Sequence, residues 1–293
     1  MPRPVSTLHD EILQWYADAR RDLPWRRADA SPWGIFVSEI MLQQTPVARV
    51  EPVWHEWLAR WPAPSDLAAD TPGEAVRAWG RLGYPRRALR LHAAATAMTE
   101  RHDGAVPDDY ELLLGLPGVG SYTAAAVASF AFGIRVPVVD TNIRRVHARL
   151  VTGVEHAAPS LTAAERDLAA DLLPDDPDDA ALWNVGVMEL GALVCTARSP
   201  RCHACPVAGR CAWRLAGSPA YDGPPRRGQR WAGTDRQVRG RLLRVVREAD
   251  GPVTRPALDA VWHDAAQRDR CLSSLVEDGL VEPLADDMFA LPG

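Results

Sequence analysis

Between Leu116 and Phe130 the chain reads LPGVGSYTAAAVASF, so Pro117, Gly118 and Gly120 stand directly ahead of an alanine-rich run. Gly and Pro cost a helix interior about 1 and 3 kcal/mol relative to Ala, and their grouping marks a built break between two helices. The pattern predicts a tight turn with Ser121 as N-cap of a helix over Tyr122–Phe132. Two glycines at a helix N-terminus let backbone N–H groups converge, a geometry that holds a phosphate without a charged side chain. The same residues also serve any tight interhelical turn.

Helical periodicity dominates the rest of the chain. Ser6–Arg20 is amphipathic, with Leu8, Ile12, Trp15 and Tyr16 on one side. An apolar segment from Trp33 to Thr45 stops before Pro46, and EPVWHEWLARW follows as the next helix. Thr71 with Glu74 three residues on reads as a capping box, and LTAAERD repeats that start. A long helix over Arg86–His102 closes at Gly104, a short one covers Asp108–Leu114, and Asp140 stands at the start of another. No strand pattern is evident before residue 280, so the fold class expected is all-α. Residues 216–235 are rich in Gly and Pro and read as a linker. Beyond them, helical patterns over Arg236–Ala249, Thr254–Trp262 and Gln267–Asp278 precede two short strands around Asp286-Asp287. Three helices and a hairpin suggest a small winged-helix-like module at 236–293, or a module that only covers apolar surface.

Composition narrows the chemistry. With 293 residues the chain is long enough for two domains. No run of about 18 apolar residues is present, so no membrane span is expected, and the N-terminus lacks the apolar core of a signal peptide. A cytoplasmic location follows as an expectation. The net charge is −5, yet its distribution is uneven: six Asp and no basic residue over Asp167–Asp179, then eleven Arg over Arg198–Arg244. Such separation can hide a basic face inside an acidic total, although a solvated surface gives the same count. All 33 basic residues are Arg, so no lysine amine can form a Schiff base.

Cys195, Cys202, Cys205 and Cys211 lie within 17 residues in the spacing C-x6-C-x2-C-x5-C. Four thiolates in one short loop bind zinc or an iron–sulfur cluster, and the single central pair fits the two-pair habit of structural zinc less well. Cys271, among Leu272 and Leu275, reads as core. Two carboxylates stand in apolar surroundings: Glu39, followed by Ile40, Met41 and Leu42, and Asp140, preceded by VPVV. A buried Glu has a raised pKa and an Asp at a helix N-terminus is held ionised. One acid and one anion are what cleavage of a glycosidic bond through an oxocarbenium-like transition state requires. Each is equally well a helix cap or a partly exposed carboxylate.

In combination, LPGVGSYTAAAVASFAFG, VVDTNIRRV and the four-cysteine loop resemble the helix-hairpin-helix DNA glycosylases of the endonuclease III superfamily. VSEIMLQQTPV and ELGALVC narrow the resemblance to the MutY type, which removes adenine. It covers about Leu8 to Trp213. It implies an all-α, two-lobed enzyme: one lobe of residues 1–30 and 138–215 with a [4Fe–4S] loop held by Cys195, Cys202, Cys205 and Cys211, and a six-helix lobe of residues 31–137. It further implies a monomer working in the cytoplasm at the nucleoid, on double-stranded DNA carrying A:8-oxoguanine or A:G mispairs, with the adenine flipped out of the duplex. Glu39 would protonate the adenine, Asp140 would stabilise the sugar cation, and Tyr122 and Asn142 would organise the site. Leu42, Gln44 and Thr45 would fill or border the space left in the duplex. Gly118 and Gly120 would hold phosphate, and Arg26 and Tyr84 would contact DNA.

Bifunctional relatives carry a Lys after the hairpin, and Tyr122 takes that place here, so base removal by water without strand cleavage is expected. The chain departs from the family pattern at Val185, where a Gln or Glu is common, at Pro85, where a second aromatic is common, and in its short tail. Arg236, Arg239, Arg241 and Arg244 on the first tail helix suggest phosphate contacts. Two other functions fit the same motifs. One is a thymine/uracil mismatch glycosylase, which a mismatch panel separates. The other is a non-catalytic iron–sulfur DNA-binding protein, which would bind without base release.

Overall fold

The computed structural model describes residues 5–223 and 231–293. The expected linker therefore has its centre, residues 224–230 with three of the arginines counted above, outside the described residues. The chain forms two compact units. The first takes the chain up to Phe36, then Asp108–Gly115, then Val119 to the linker; the second takes Val37–Pro107, Leu116–Gly118 and everything beyond the linker.

The first unit is built on α11 (Pro177–Leu193), against which α1 (Val5–Ala19), α8 (Ser121–Phe132) and α9 (Thr141–His147) pack. Trp183, Val187 and Leu190 of α11 meet Ile12, Ala126, Ile143 and Val146 in one core. Burying side chains of this size is worth roughly 1.5–3 kcal/mol each. Close approach depends on small residues. A Cβ at Gly186 would lie 3.4 Å from Ile12 and Tyr16, and one at Gly191 would lie 2.7 Å from the Asn142 Cβ. The acidic run serves this unit at its end: Asp176 caps α11, its carboxylate accepting from the N–H groups of Asp178 and Asp179.

Helix α8 begins one residue earlier than the sequence suggests. Gly120 is its N-cap and Ser121 its first residue, with no side-chain cap. The glycine takes the extended cap conformation that leaves the serine free to enter the helix. After α9 the backbone widens into a π-helical turn, Ala148–Thr152. Helix α10 (Ala163–Asp171) starts with the full capping box expected, Thr162 and Glu165 bonding reciprocally.

The second unit holds most of α2 (Pro32–Leu42) with α3 (Val47–Arg60), α4 (Pro64–Ala69), α5 (Pro72–Trp79) and α6 (Arg86–Arg101). Its core is aromatic: Trp57 meets Trp61 and Trp79 edge-on at 4.8 and 5.6 Å between ring centroids. Helix α2 stops at Leu42, three residues before the expected end, because Gln44 turns into the left-handed region at φ 58°. Thr71 caps α5 as expected, but the Glu74 carboxylate turns to Arg60 and Arg77 instead of completing a box. Short α7 (Tyr110–Leu114) and α12 (Ala212–Leu215) belong to the first unit.

The C-terminal module is winged-helix-like, in the order α13 (Asp235–Glu248), β1 (Val253–Thr254), α14 (Arg255–Asp259), α15 (Ala265–Glu277), β2 (Glu282–Leu284) and β3 (Met288–Ala290). The antiparallel sheet runs β1-β3-β2, with Phe289 opposite both Val253 and Pro283. Strand β1 lies before residue 280 and corrects the expectation that no strand would. Two residues leave no readable alternation; pairing with β3 makes them a strand.

The module docks within its unit on α5. The Gly73 N–H donates to the Pro292 carbonyl at 2.8 Å. Arg77 donates to the Arg247 and Ala249 carbonyls, and Arg247 donates to that of Gly80. A Cβ at Gly73 would lie 2.4 Å from the Pro292 carbonyl oxygen, so no side chain fits without moving the C-terminus. Gly73→Ala should therefore cost about 1–3 kcal/mol. The check is the urea unfolding midpoint combined with limited proteolysis, and cleavage beyond residue 236 should accelerate while the first unit stays intact.

Candidate active site and cluster loop

The chemistry-bearing residues of the first unit gather at the start of α9. Asp140 is its N-cap: one carboxylate oxygen accepts from the Ile143 N–H at 2.6 Å and the other from the Asn142 Nδ2 at 2.8 Å. Burial pushes the Asp140 carboxyl above its ordinary range, against these donors and the Arg145 charge, which pull it down. The net direction is the reverse of the simple helix-terminus expectation, because loss of solvent outweighs the local donors. Asn142 is fixed in turn: its Oδ1 accepts from Arg145 Nη2 at 2.6 Å. Arg145 also donates to the carbonyls of Gly191 and Cys195 at 2.8 and 2.7 Å. One guanidinium thus ties the Asp140–Asn142 pair to the end of α11 and to the first cysteine of the loop. Tyr122 on α8 is half-buried and packs against the core of this unit.

The turn ahead of α8 uses its glycines unequally. Gly118 has φ 76°, and a Cβ there would lie 2.6 Å from the Arg90 side chain. Gly120 has extended φ and open space around its missing Cβ, so its conformation is available to any residue. Both are exposed.

In the second unit Glu39 is 6% exposed within α2, beside the fully buried Ser38. The segment after it is held by a residue that sequence reading missed. Arg87 is buried, and its Nη1 donates to the carbonyls of Ile40, Met41 and Gln43, while its Nη2 donates to Thr45 Oγ1 and the Gly83 carbonyl. Burial lowers its pKa to about 10, and it stays charged. Thr45 is buried by this arrangement, donating to the Leu82 carbonyl at 3.1 Å, so it braces the loop from inside. Gln44 is exposed at positive φ, a conformation that costs a non-glycine residue about 1–3 kcal/mol. Leu42 is half-buried at the helix end. Tyr84 is the second exposed residue at positive φ in this unit, φ 48° and 40% exposed, wedged between Gly83 and Pro85.

Arg26 is not free for DNA. It pairs at 3.0 Å with Glu189, which is fully buried, and Arg21 binds the same carboxylate through both Nε and Nη2. Burial alone would raise the Glu189 carboxyl, but the two arginines overcome it and hold the group at about 2. Breaking such a buried pair typically costs 3–5 kcal/mol. A short basic motif read along the sequence gives no hint that Arg21 has its partner 168 residues away.

The four loop cysteines are half-buried. Burial pushes Cys205 up to about 11, with Cys195, Cys211 and Cys202 adding to the rise, and Cys211 rises for the same reasons. Four thiolates here repel one another, so the donor set calls for a cationic centre among them. Among the described residues no three His, Cys, Asp or Glu side chains stand in finished metal-ligating geometry. Donors from the protein also converge: Arg149, on the π-helical turn, reaches Cys195 Sγ at 3.5 Å and the Thr196 and Ala197 carbonyls. Its guanidinium lies 5.0 Å over Trp213, and its carbonyl accepts from Cys211 Sγ. The residues fit an anionic thiolate cluster.

Residues 37–169 match the HhH-GPD superfamily base excision DNA repair protein, and residues 195–211 match the iron-sulfur binding domain of endonuclease III. The chain is 57% identical to the adenine DNA glycosylase of Mycobacterium tuberculosis, an alignment spanning 100% of this chain and 95% of that one. It is 39% identical to the adenine DNA glycosylase of Homo sapiens over 71% of this chain and 39% of that one. It is also 36% identical to a thymine/uracil-DNA glycosylase of Pyrobaculum aerophilum, over 71% and 92% of the two chains. Among solved structures, a thermostable thymine-DNA glycosylase superposes with a TM-score of 0.65 at 29% identity, covering 72% of this chain and 97% of that one. A non-covalent endonuclease III–DNA complex, at TM-score 0.61 and 24% identity over 73% of this chain and 96% of that one, shares the fold.

Fold, turn and cysteine loop thus define a base excision DNA repair glycosylase with an iron–sulfur domain. Within that class the chain belongs to the adenine DNA glycosylase family: it is an adenine-specific DNA glycosylase, binds DNA and carries a [4Fe–4S] cluster. Among the described residues, no helix is long and apolar enough to cross a membrane.

The raised Asp140 pKa carries a stability consequence. The folded protein disfavours the charged form, so ionised Asp140 destabilises it at neutral pH. Asn keeps an oxygen for the Ile143 N–H and is an equally good N-cap. Asp140→Asn should raise the thermal midpoint at pH 7. The midpoint gain should fade as pH falls through the folded pKa of Asp140 towards about pH 4, where the unfolded chain also protonates.

Proposed function

We propose that this enzyme removes adenine mispaired with 8-oxoguanine or guanine, by hydrolysis and without strand cleavage. The observation that carries the reading is Glu39, a carboxyl group buried within an apolar helix. A carboxylic acid is the group needed to give a proton to a leaving base. The N-glycosidic bond breaks as the Glu39 proton passes to a ring nitrogen of adenine. The sugar is left with oxocarbenium character, and the Asp140 carboxylate stabilises it. Water then adds its hydroxyl to the sugar carbon, and its proton restores the Glu39 carboxyl group that protonated the base. Asp140 is suited to this by its fixed donors: the Ile143 N–H and Asn142 hold its two oxygens in place before charge develops. Tyr122 stands where an amine nucleophile would act, and the chain has no Lys, which favours water as the nucleophile.

Adenine is a normal base, so its removal has to be licensed by the base opposite. That is the physical reason for a mispair requirement. Gln44 and Leu42, at the strained end of α2, and Tyr84, on its own strained turn, are the groups suited to enter the duplex. Gly118 and Gly120 are suited to a phosphate. Cys195, Cys202, Cys205 and Cys211 are the ligands for the cluster, which supplies a fixed cross-link for the loop when bound. The working lobes are then residues 1–30 with 138–215, and residues 31–137, joined through the linker 216–235 to the module 236–293. The enzyme acts as a monomer, in the cytoplasm at the nucleoid.

The test is base release from A:8-oxoguanine, A:G, T:G and U:G duplexes under one set of conditions, with and without Glu39→Gln. Adenine release alone, lost by at least about tenfold in the variant, is expected, since general acid catalysis typically contributes 10²–10⁴-fold. Release from T:G or U:G would move the reading towards the thymine/uracil enzymes. Borohydride should trap little DNA–protein complex, and efficient trapping would overturn the hydrolytic reading.

A further inference from the structure

The module beyond the linker docks on the turn that carries Tyr84. Arg77 and Arg247 bond reciprocally across α5 and the end of α13, reaching the Gly80 carbonyl four residues before Tyr84. At the other end of α13, the Arg236 guanidinium lies 4.8 Å over the Tyr84 ring and 5.4 Å from that of Trp231. Its Nη2 also donates to Tyr84 Oη at 3.1 Å. A second guanidinium, Arg87, lies 5.6 Å from the same ring. Arg87 is the residue that holds the Gln43–Thr45 segment, so one chain of contacts runs from α13 through Tyr84 to the strained loop after α2.

Apart from Arg247, which donates to the Gly80 carbonyl, the other arginines of α13 face their own module. Arg239 binds Ser274 and Asp278, Arg241 stacks 5.0 Å over Trp262, and Arg244 lies 4.0 Å from Glu248. On α15, Arg268 and Arg270 are likewise paired with Asp259, Asp269 and Asp235. A helix whose cations are already matched inside the module is poorly suited to gripping phosphates. Arg236 instead makes contacts that suit a different task. Stacking and a hydrogen bond together restrict both side-chain torsions of a tyrosine whose backbone is already fixed at positive φ.

We propose that Arg236 is a positioning residue for Tyr84, holding its ring in the orientation in which it meets DNA beside the mispair. The C-terminal module then contributes to mispair recognition through an aromatic residue of the catalytic unit. This inference rests on the reading that Tyr84 contacts DNA. Losing an exposed guanidinium–aromatic stack corresponds to a change of about two- to fivefold.

The experiment uses the full chain and a duplex with adenine opposite 8-oxoguanine and 2-aminopurine as the neighbour of the 8-oxoguanine. Single-turnover excision gives the maximal rate and the half-saturating enzyme concentration, and 2-aminopurine fluorescence reports the stacking of a ring at the mispair. Arg236→Ala should raise the half-saturating concentration about two- to fivefold and reduce the fluorescence change, with an unaltered thermal midpoint. Arg236→Lys, which keeps charge without the planar stack, should not restore either. The Arg236→Ala/Tyr84→Ala double variant should be no worse than Tyr84→Ala, because both remove one coupled contact. Full rescue by Lys, or additive losses in the double variant, would overturn the proposal in favour of a phosphate contact. A silent Arg236→Ala beside a damaging Tyr84→Ala would overturn the positioning role alone. A silent Tyr84→Ala would overturn the reading of Tyr84 and the proposal with it.

Discussion

The fold depends on how its helix ends find hydrogen-bond donors. Every helix leaves its last carbonyls without partners, and a compact helical protein buries many of them. In this chain the donors are arginine side chains. Arg87 closes the end of α2 through three carbonyls, and Arg145 closes the end of α11. Arg149 takes the Thr196 and Ala197 carbonyls at the start of the cysteine loop, and Arg135 those of Leu173 and Pro174. Arg77 and Arg247 do the same for α13 and α5. A guanidinium has five N–H groups in a rigid plane and stays charged when buried, whereas an ammonium is a single hydrated point. A chain with arginine as its sole long cation is suited to this use. The consequence for the chemistry is direct, because the segments being closed are those that carry Glu39, Asn142 and Cys195.

Local chemistry was legible in the sequence, and distant pairing was not. The break at Pro117–Gly120, the Asp140 cap and the Thr162–Glu165 box each depend on residues within a few positions of one another, so spacing alone finds them. The three helices and hairpin of the tail were equally readable, apart from β1, whose partner strand lies more than thirty residues on. Arg87 reads as one more charge on a helix that already carries several. Its buried role appears when residues 42 to 47 positions earlier fold over it. Arg26 shows the opposite error: an exposed-looking basic motif turns inward because Glu189, fully buried on α11, needs a counter-charge. The cysteine spacing was readable as a metal loop, while the placement of Arg145 and Arg149 around it was not.

Charge counting alone misjudges this protein. The Arg-rich stretch that opens the tail suggested a basic face, yet Arg239 within it pairs with Asp278, and Arg270 on α15 pairs with Asp235. Surface pairs of this kind contribute little stability, typically under about 1 kcal/mol, but they remove net charge from the face that carries them. Electrostatic attraction for DNA then rests less on the module than its composition implies. The exposed turn at Gly118 instead presents backbone N–H groups, which attract phosphate without a side-chain charge.

Asp140 shows what the arrangement costs and why it persists. A carboxyl group at this position meets two opposing demands. Burial pushes it towards the neutral acid, while the cation-stabilising role proposed for it needs the anion. Three features shift the balance back: the Ile143 N–H at the helix start, the Asn142 amide and the charge of Arg145. None of these alone offsets the loss of water, so the anion is held at a free-energy cost that the rest of the unit carries. In the proposed reaction that cost is useful, because an incompletely solvated carboxylate interacts with a sugar cation more strongly than a hydrated one does. The arrangement also explains the tight approach of α9 to α11. Asn142 has its oxygen held by Arg145, which also donates to the Gly191 carbonyl. A methyl group at Gly191 would meet the Asn142 Cβ at 2.7 Å and push apart the two helices whose contact keeps the carboxylate in place.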